Sequence, residues 1–277
     1  MTESNRDADL NLSAHVAIVT GANHGIGAAT ALALARRGVS VLVTYFRVED
    51  APDPGSPVAY RSNRAKDATE VLESIKAAGG TGYAVEADLS DAATPARLFD
   101  LAQREMGAVD ILVNNATGWL ADTFKAQARD RFGRSLTPVS AETFDRQFGI
   151  DARGGAMMIA EFARRHLERG ASWGRIISLT SGEGRGFPEE VSYGAAKAAL
   201  TGYTLAAAAE LYDAGITANV VYPPVTDTGW VTQEVRDAVA ASNELMHVAQ
   251  PGDVADVIAY LCEDRAWLIN RNVLVLR

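Results

Sequence analysis

Short runs of β-branched and other apolar residues alternate along the chain with longer, alanine-rich stretches. The apolar runs predict buried strands, and the stretches between them predict helices. Strands separated by helices form a parallel sheet that is covered on both sides, so the pattern predicts an α/β fold of three layers. The predicted strands span residues 16–19, 39–45, 81–86, 111–113, 175–179, 217–222 and 273–276. The predicted helices span residues 26–37, 65–78, 95–106, 141–169, 193–214 and 254–262.

The length and composition fit one domain built on such a sheet. The chain has 277 residues, 48% of them hydrophobic, which is enough to bury a sizeable core. No composition break marks a second domain, so we expect a flexible tail over residues 1–12 and a single domain over residues 13–277. Residues 47–64 and 118–140 form long loops in this assignment, and long loops in compact domains are usually functional or disordered.

Charge and residue usage exclude several classes of protein. No apolar run approaches the roughly 18 residues that a membrane helix needs, and residues 1–14 lack the apolar core of a signal peptide. Cys262 is the only cysteine, and the four histidines lack the spacing of metal ligands. The net charge of −9 disfavours nucleic-acid binding. We therefore expect a cytoplasmic protein that binds no nucleic acid, membrane or metal, and that holds an anionic ligand through a few local cations or backbone N–H groups.

The segment TGANHGIG, residues 20–27, joins the first predicted strand to the first predicted helix. Its glycines, Gly21, Gly25 and Gly27, let the backbone turn sharply and approach a ligand closely. The following helix N-terminus offers unpaired N–H groups and the positive end of its dipole, so the segment predicts a pyrophosphate site. The spacing differs from the G-x-G-x-x-G of the best-known dinucleotide fingerprint, and a plain glycine-rich turn is the alternative.

A Tyr-x-x-x-Lys pair, Tyr193 and Lys197, opens the predicted helix 193–214 and projects from one face of it. A phenol has a pKa of about 10, and a lysine cation at ~4 Å would stabilise the phenolate by up to roughly 4 kcal/mol. Ser181 follows the predicted strand 175–179, at the edge where open α/β sheets bind their ligands. Taken singly, these residues have plain alternatives: a tyrosine that packs over a lysine stem, and a loop hydroxyl.

Together these motifs resemble the short-chain dehydrogenase/reductase family over about residues 13–276. The resemblance also rests on Asp88-Leu89, Asn114-Asn115-Ala116, and the segments 176–182 and 223–228. It implies a Rossmann-like, doubly wound sheet, a nicotinamide cofactor and the interconversion of carbonyls and alcohols. It also implies that Tyr193 donates a proton to the carbonyl oxygen and that Ser181 orients that oxygen. Lys197 would lower the tyrosine pKa and hold the nicotinamide ribose.

The resemblance further assigns residues to the cofactor. In the glycine-rich segment these are Gly21, His24, Gly25, Ile26 and Gly27; elsewhere they are Arg47, Asp88, Leu89, Asn115, Tyr193, Lys197, Thr226 and Thr228. NAD-binding relatives place an acidic residue at the end of the second strand, where this chain has Tyr45 followed by Phe46 and Arg47. His24 stands where NADP-preferring relatives often have a basic residue. We therefore predict NADP(H) over NAD(H), with Arg61 and Arg64 in the adjoining loop; the alternative is that these arginines are solvated loop charges.

Some residues depart from the family's pattern. Asp151 replaces an asparagine that holds a water of the proton relay, and we expect its carboxylate to pair with Lys197 and alter the pH profile. Pro224 removes a backbone N–H beside the nicotinamide. The chain ends at Arg277 without the family's usual glycine-rich tail, so a homodimer and a homotetramer both remain open. In the loop 118–140, Trp119, Phe124 and Phe132 are candidates to line or cover the substrate, with plain packing as the alternative.

These observations predict an NADPH-dependent carbonyl reductase that acts on a small molecule, similar to 3-oxoacyl-[acyl-carrier-protein] reductases. The first alternative is an NAD-dependent alcohol dehydrogenase that acts on a sugar, steroid or secondary-metabolite alcohol. The second is a nucleotide-sensing binding protein without turnover, which Asp151 and Pro224 favour and the Ser181, Tyr193 and Lys197 set disfavours.

Overall fold

The structure, a computed structural model, describes residues 12–182 and 186–277. Its strands are β1 (Val16–Val19), β2 (Ser40–Tyr45), β3 (Gly82–Glu86), β4 (Ile111–Asn114), β5 (Asp122–Thr123), β6 (Thr137–Pro138), β7 (Gly174–Leu179), β8 (Ile216–Tyr222) and β9 (Val273–Val275). Its α-helices are α1 (Gly25–Ala35), α2 (Val58–Ala65), α3 (Thr69–Ala77), α4 (Thr94–Glu105), α5 (Ala141–Gln147), α6 (Gly155–Glu168), α7 (Val191–Glu210), α8 (Gln233–Ala240) and α9 (Pro251–Cys262).

Seven strands form one sheet in the order β3-β2-β1-β4-β7-β8-β9, and every neighbouring pair is parallel. Because successive residues of a strand face opposite sides, β1 contributes Ala17 and Val19 to one core layer and Val16 and Ile18 to the other. Helices α1, α3 and α9 cover the first layer, and α4, α6 and α7 cover the second. The predicted three-layer, doubly wound α/β fold is confirmed.

The direction in which strands are added reverses at β1 and β4, which lie side by side in the sheet. In open parallel sheets, this switch point leaves a crevice outside the carboxyl ends of the strands, where ligands bind. The segments that follow β1, β4 and β7 contain the glycine-rich turn, Asn115 and Ser181, respectively. The topology therefore brings the residues singled out from the sequence to one edge of the sheet.

The two predicted loops contain regular structure. Helix α2 lies within residues 47–64, and the short parallel pair β5 and β6 lies within 118–140. Helix α8 was not predicted, and the predicted helix 141–169 is interrupted by a π-helix, Phe148–Gly154. Leu12 is buried and its N–H donates to the Arg37 carbonyl, so the packed chain includes one residue of the predicted tail. Residues 1–11 of that tail lie outside the described residues.

None of the helices in the described parts of the chain combines the length and apolar character that crossing a bilayer requires.

Candidate active site

A cavity of about 1680 Å³ opens at the carboxyl ends of the sheet strands. Most of the residues singled out from the sequence line it: Gly21, His24, Gly25, Ile26, Asp88, Leu89, Asn115, Ser181, Tyr193, Lys197, Thr226 and Thr228. Gly27, Arg47 and Asp151 are not part of its lining. One cavity therefore contains both the predicted cofactor loop and the predicted Ser-Tyr-Lys set.

The glycine-rich turn can adopt its path only because three of its residues, Gly21, Gly25 and Gly27, lack side chains. Gly21 has φ +62°, and a Cβ added there would lie 2.7 Å from the Ala116 Cα. Gly25 has φ +57°, and its Cβ would lie 2.8 Å from the Thr228 methyl carbon. A Cβ on Gly27 would collide with the Gly21 carbonyl oxygen, so this glycine serves close packing within the turn.

Asn115 holds the same turn from the end of β4. Its side-chain amide donates to the carbonyl oxygens of Thr20, at 2.9 Å, and Gly21, at 2.8 Å. The Thr20 hydroxyl in turn accepts from the backbone N–H groups of Asn115 and Ala116, each at 3.0 Å. These bonds fix the turn between β1 and α1 and leave the helix N-terminus facing the cavity, as a pyrophosphate site requires.

Asp151 and Lys197 meet beneath the cavity floor. The Asp151 Oδ1 lies 3.0 Å from the Lys197 Nζ, and the two side chains are 0% and 3% exposed. Asp151 Oδ2 accepts a hydrogen bond from the Gly118 N–H at 2.9 Å. Among the described residues Oδ1 finds no aligned hydrogen-bond donor, so charge and distance alone define its contact with Lys197. The predicted pairing of Asp151 with Lys197 is confirmed.

The π-helix explains how Asp151 comes to lie there. Extra residues in a π-helical turn displace the helix face, and such turns are frequent at functional sites. Asp151 lies in the middle of this segment, which packs against α7, the helix that carries Lys197. At Gly154 a Cβ would approach the Leu89 carbonyl oxygen to 3.0 Å. The segment is therefore seated tightly against the loop that follows β3.

Interaction with the Ser181 hydroxyl acts to lower the pKa of Tyr193, and both side chains line the cavity. Burial outweighs this interaction, and with the negative charges of Asp151 and Glu190 it raises that pKa well above the ordinary value of a phenol. The sequence had predicted a lowering by Lys197. The Lys197 Nζ lies 5.9 Å from the centre of the tyrosine ring, and its charge is matched by Asp151, so this prediction is wrong for the structure described.

His24 lines the cavity as predicted, but it is not a cation at neutral pH. Burial, followed by the positive charges of Arg64 and Lys66, lowers its pKa to about 4. Its Nδ1 is buried and has no hydrogen-bond partner among the described residues. His24 therefore offers a neutral imidazole to a ligand, and the predicted basic contact at this position is not found.

Arg47 is placed differently from the prediction. Its side chain is half-exposed, and its Nε and Nη2 donate to Glu86 Oε2 at 3.0 and 2.7 Å. This bidentate pair ties the end of β2 to the end of β3, outside the cavity. Arg64 is the arginine of this region that lines the cavity, beside His24, and it pairs with Asp50 at 2.7 Å. Arg64 is almost buried and is therefore not a solvated loop charge.

The other predicted cofactor residues lie at successive strand ends. Asp88 Oδ1 accepts from the Ser90 N–H at 2.8 Å, and Leu89 is buried beside it. Thr226 is buried and its hydroxyl donates to the Pro224 carbonyl at 2.9 Å. Thr228 packs on the glycine-rich turn at Gly25. The structure therefore brings these groups into the cavity and shows that Thr226 already has an internal partner.

The loop 118–140 supplies one wall of the cavity. Trp119 and Phe132 line it, whereas Phe124 is 83% exposed and lies elsewhere. The loop is anchored to the start of α7 by Asp122, whose carboxylate accepts from both the N–H and the hydroxyl of Ser192, at 2.9 and 2.5 Å. Sequence reasoning missed this bond because residues 122 and 192 are far apart in the chain and no local pattern connects them.

Glu190, which precedes α7, was also missed. Its carboxylate accepts from the Arg134 Nη2 at 2.7 Å. Arg134 also binds Asp130 at 2.5 Å. The only sequence signal is an acidic residue next to a helix start, which is common at helix N-termini and does not by itself indicate a site.

The loops 47–64 and 118–140 contact each other directly. A Cβ on Gly55 would collide with the backbone of Gly133 and Arg134, so the chain segments touch at this point. The Asp53 Oδ2 accepts from the Ser135 N–H at 2.8 Å. The two loops therefore form one joint covering over the cavity.

Within residues 12–182 and 186–277, no group of three or more histidine, cysteine, aspartate or glutamate side chains is arranged to hold a metal ion.

Comparison with known proteins identifies the family. A family model described as enoyl-(acyl carrier protein) reductase matches residues 21–276. Elsinochrome reductase 1 of Elsinoe fawcettii is 35% identical over 280 residues, 95% of this chain and 93% of its own. Hydroxynaphthalene reductase of Aspergillus fumigatus is 30% identical over 278 residues, 94% of this chain and 90% of its own.

A solved structure of an angucycline C-6 ketoreductase with bound NADP is 31% identical and superposes with a TM-score of 0.76, covering 96% of this chain and 95% of its own. The matches extend over nearly the whole chain and agree with the motif order, the sheet topology and the shared cavity. The chain therefore belongs to the short-chain dehydrogenase/reductase family of oxidoreductases.

Proposed function

We propose that the protein is an NADP(H)-dependent carbonyl reductase in which Ser181, Tyr193 and Lys197 act on the substrate and cofactor. The observation that carries this proposal is that Ser181, Tyr193 and Lys197 line the same cavity as the glycine-rich turn. When bound, the nicotinamide supplies the hydride. The two hydroxyls are suited to receive the carbonyl oxygen on which negative charge develops.

Tyr193 is the proton donor in this proposal. Its raised pKa keeps the phenol protonated at neutral pH, which is the state that a general acid needs at the start of a reduction. Ser181 lines the cavity together with Tyr193, so a carbonyl oxygen that lies between the two hydroxyls would be oriented by one and protonated by the other. The protonation state favours reduction over oxidation of an alcohol.

The residues that would hold the cofactor fit a dinucleotide. Gly21 and Gly25 give the turn that lines the cavity its left-handed backbone, and the Nδ1 of His24, which has no hydrogen-bond partner among the described residues, is available to the dinucleotide. We infer NADP(H) over NAD(H) because the end of β2 presents Tyr45 and Phe46 to the cavity in place of a carboxylate. Arg64, in place of Arg47, is then the cation for the additional phosphate.

The relatives support a ketone as the substrate. The solved neighbour is named as a ketoreductase, and two relatives are named as reductases of elsinochrome and hydroxynaphthalene. We propose a ketone substrate on this basis and retain a 3-oxoacyl thioester as the alternative ketone. The family is commonly oligomeric, and the exposed Met157 on α6 and Tyr203 on α7 support a homodimer or homotetramer.

The test measures oxidation of NADPH and of NADH against a panel of ketones that includes acyl thioesters. We expect turnover with NADPH, and we expect Tyr193→Phe to lower kcat by about 10²- to 10⁴-fold while the cofactor Kd stays unchanged. Tyr212→Phe is the matched control because Tyr212 is exposed and lies outside the cavity. Tight cofactor binding without turnover of any ketone would instead favour a nucleotide-sensing protein.

A further inference from the structure

Aromatic side chains from three separate segments meet at one end of the cavity. They are Tyr60 on α2, Trp119 and Phe132 in the loop 118–140, and Trp230 after β8. The rings of Tyr60 and Trp119 are 6.2 Å apart at 81°, an edge-to-face contact. This set of four rings is called the aromatic wall below. It presents broad, flat apolar surface to whatever occupies that end of the cavity.

Arg134, which also lines the cavity, lies among the rings of the aromatic wall. Its guanidinium carbon lies 5.1 Å from the centre of the Trp119 ring, 5.7 Å from Phe132 and 6.0 Å from Trp230. Cation–π contacts at these distances hold the three rings around one rigid planar group. The wall is therefore a built structure in which the rings share a common anchor.

The charge of Arg134 is fully compensated. Asp130 and Glu190 both pair with it, at 2.5 and 2.7 Å, and both carboxylates are buried. The three groups together carry one net negative charge. An anionic group of a substrate would meet this cluster at an energetic cost, because the guanidinium is already matched and a second carboxylate lies beside it. Arg134 therefore provides no free positive charge for an anionic group of a substrate.

Arg134 and Glu190 connect the wall to the start of α7. Glu190 pairs with Arg134 at 2.7 Å and precedes α7 by one residue, and Tyr193 lies three residues further on. Trp119, Ser181 and Tyr193 all line the same cavity. A substrate whose carbonyl lies at Tyr193 and Ser181 can therefore extend to the wall within that cavity.

We infer that this end of the cavity binds a planar, polycyclic aromatic ketone, and that Trp119 is the residue that selects it. A flat arene gains contact with Trp119 and Tyr60 together and loses no internal rotation on binding. A 3-oxoacyl chain has neither property: it is flexible and offers no ring face. This inference rests on the proposed carbonyl reduction and specifies its substrate class.

The test compares two probes with NADPH, a phenolic tetralone and the N-acetylcysteamine thioester of acetoacetate. We expect kcat/KM for the tetralone to exceed that for the thioester by about tenfold or more. Trp119→Leu lowers kcat/KM for the tetralone by about tenfold, mainly through KM, and lowers kcat/KM for the thioester by a much smaller factor; tenfold corresponds to about 1.4 kcal/mol. Trp119→Phe, which retains a ring, recovers most of the loss.

Trp267→Leu is the matched control, since Trp267 is 63% exposed and does not line the cavity. Circular dichroism and thermal unfolding show whether Trp119→Leu is folded. A thioester that is reduced as well as the tetralone, or a loss in Trp119→Leu that is equal for both probes, would overturn the inference while leaving carbonyl reduction in place.

Tetralone binding, followed by quenching of tryptophan fluorescence in the NADP⁺ complex, separates the two proposals. Binding that weakens in Trp119→Leu, without turnover of either probe, would overturn the proposed reduction and still support the aromatic ligand. If the tetralone does not bind the wild-type complex, the inference is wrong even when another ketone is reduced.

Discussion

The carboxylate of Asp151 and the ammonium of Lys197 form an ion pair at 3.0 Å, and both side chains are almost completely buried. Each charge compensates the other, so Lys197 has less positive charge to offer the Tyr193 phenol. Burial raises the pKa of the Tyr193 hydroxyl most, and the negative charges of Asp151 and Glu190 raise it further. Asp151 thereby extends to higher pH the range over which the proposed proton donor is protonated.

Replacing Asp151 with asparagine should shift the pH dependence of reduction. Asp151→Asn preserves the shape and the acceptor for the Gly118 N–H but removes the charge. The pKa of Tyr193 then falls, and because the acid form is required, kcat/KM for the ketone should decline at a pH about one unit lower than in the wild type. The pH–rate profile between pH 6 and 11 measures this.

The control for that experiment is Asp213→Asn, which removes an exposed carboxylate at the far end of α7 and should leave the profile unchanged. Coincident profiles for the wild type and Asp151→Asn would show that Asp151 does not act on the proton donor.

The cofactor preference should depend on Arg64 and not on Arg47. Arg64 lines the cavity beside His24, whereas the Arg47 guanidinium is held outside it by Glu86. We expect Arg64→Ala to lower the ratio of kcat/KM for NADPH to that for NADH by about tenfold, the loss of one charge-assisted phosphate contact. Arg47→Ala should leave the ratio unchanged. If Arg47→Ala lowers this ratio and Arg64→Ala leaves it unchanged, the phosphate contact belongs to Arg47.

His24 should make the protein less stable in mild acid. Its folded-state pKa is about 4 and its ordinary value is 6.5, so the unfolded chain binds more protons between these values. The free energy of unfolding therefore falls as the pH drops below 6.5, by about 2 kcal/mol at pH 5 relative to pH 8. Urea unfolding of wild type and His24→Gln at both pH values isolates this contribution. An equal loss in the two proteins would mean that His24 is protonated when folded.

Two glycine substitutions should have opposite effects on stability. Gly21→Ala introduces a Cβ at φ +62°, 2.7 Å from the Ala116 Cα, and should lower the free energy of unfolding by more than about 1 kcal/mol and weaken NADPH binding. Gly202→Ala lies within α7, where an added Cβ meets nothing within 4 Å, and should stabilise the protein by about 1 kcal/mol. Thermal unfolding and NADPH titration of both variants measure this. A stable Gly21→Ala variant with normal affinity would show that the turn can adjust.

The sheet could be predicted because its signal is local. Runs such as Val16–Val19 are apolar on both faces, and this is sufficient to indicate a parallel strand covered on both sides. The glycine-rich turn and the Tyr193–Lys197 spacing are also local patterns. The pairing of Asp151 with Lys197 was expected from their places in the family's pattern, and the structure provides its distance and burial.

Other features depend on contacts that no window of sequence contains. The charge state of His24 follows from burial and from Arg64 and Lys66, which reach it from another segment. The role of Arg47 was misjudged because Glu86 lies beside it only through the pairing of β2 with β3. Helix α2 lies in a segment rich in proline and glycine, where local propensity predicted a loop.

The contact of Gly55 with the backbone of Gly133 and Arg134 bears on how such a protein diversifies and how it can be engineered. A side chain on the first loop at this point would displace the second, and the second carries Trp119 and Arg134. We therefore expect the loops 47–64 and 118–140 to change together. A chimera that takes the loop 118–140 from a relative needs the segment that precedes α2 from the same relative.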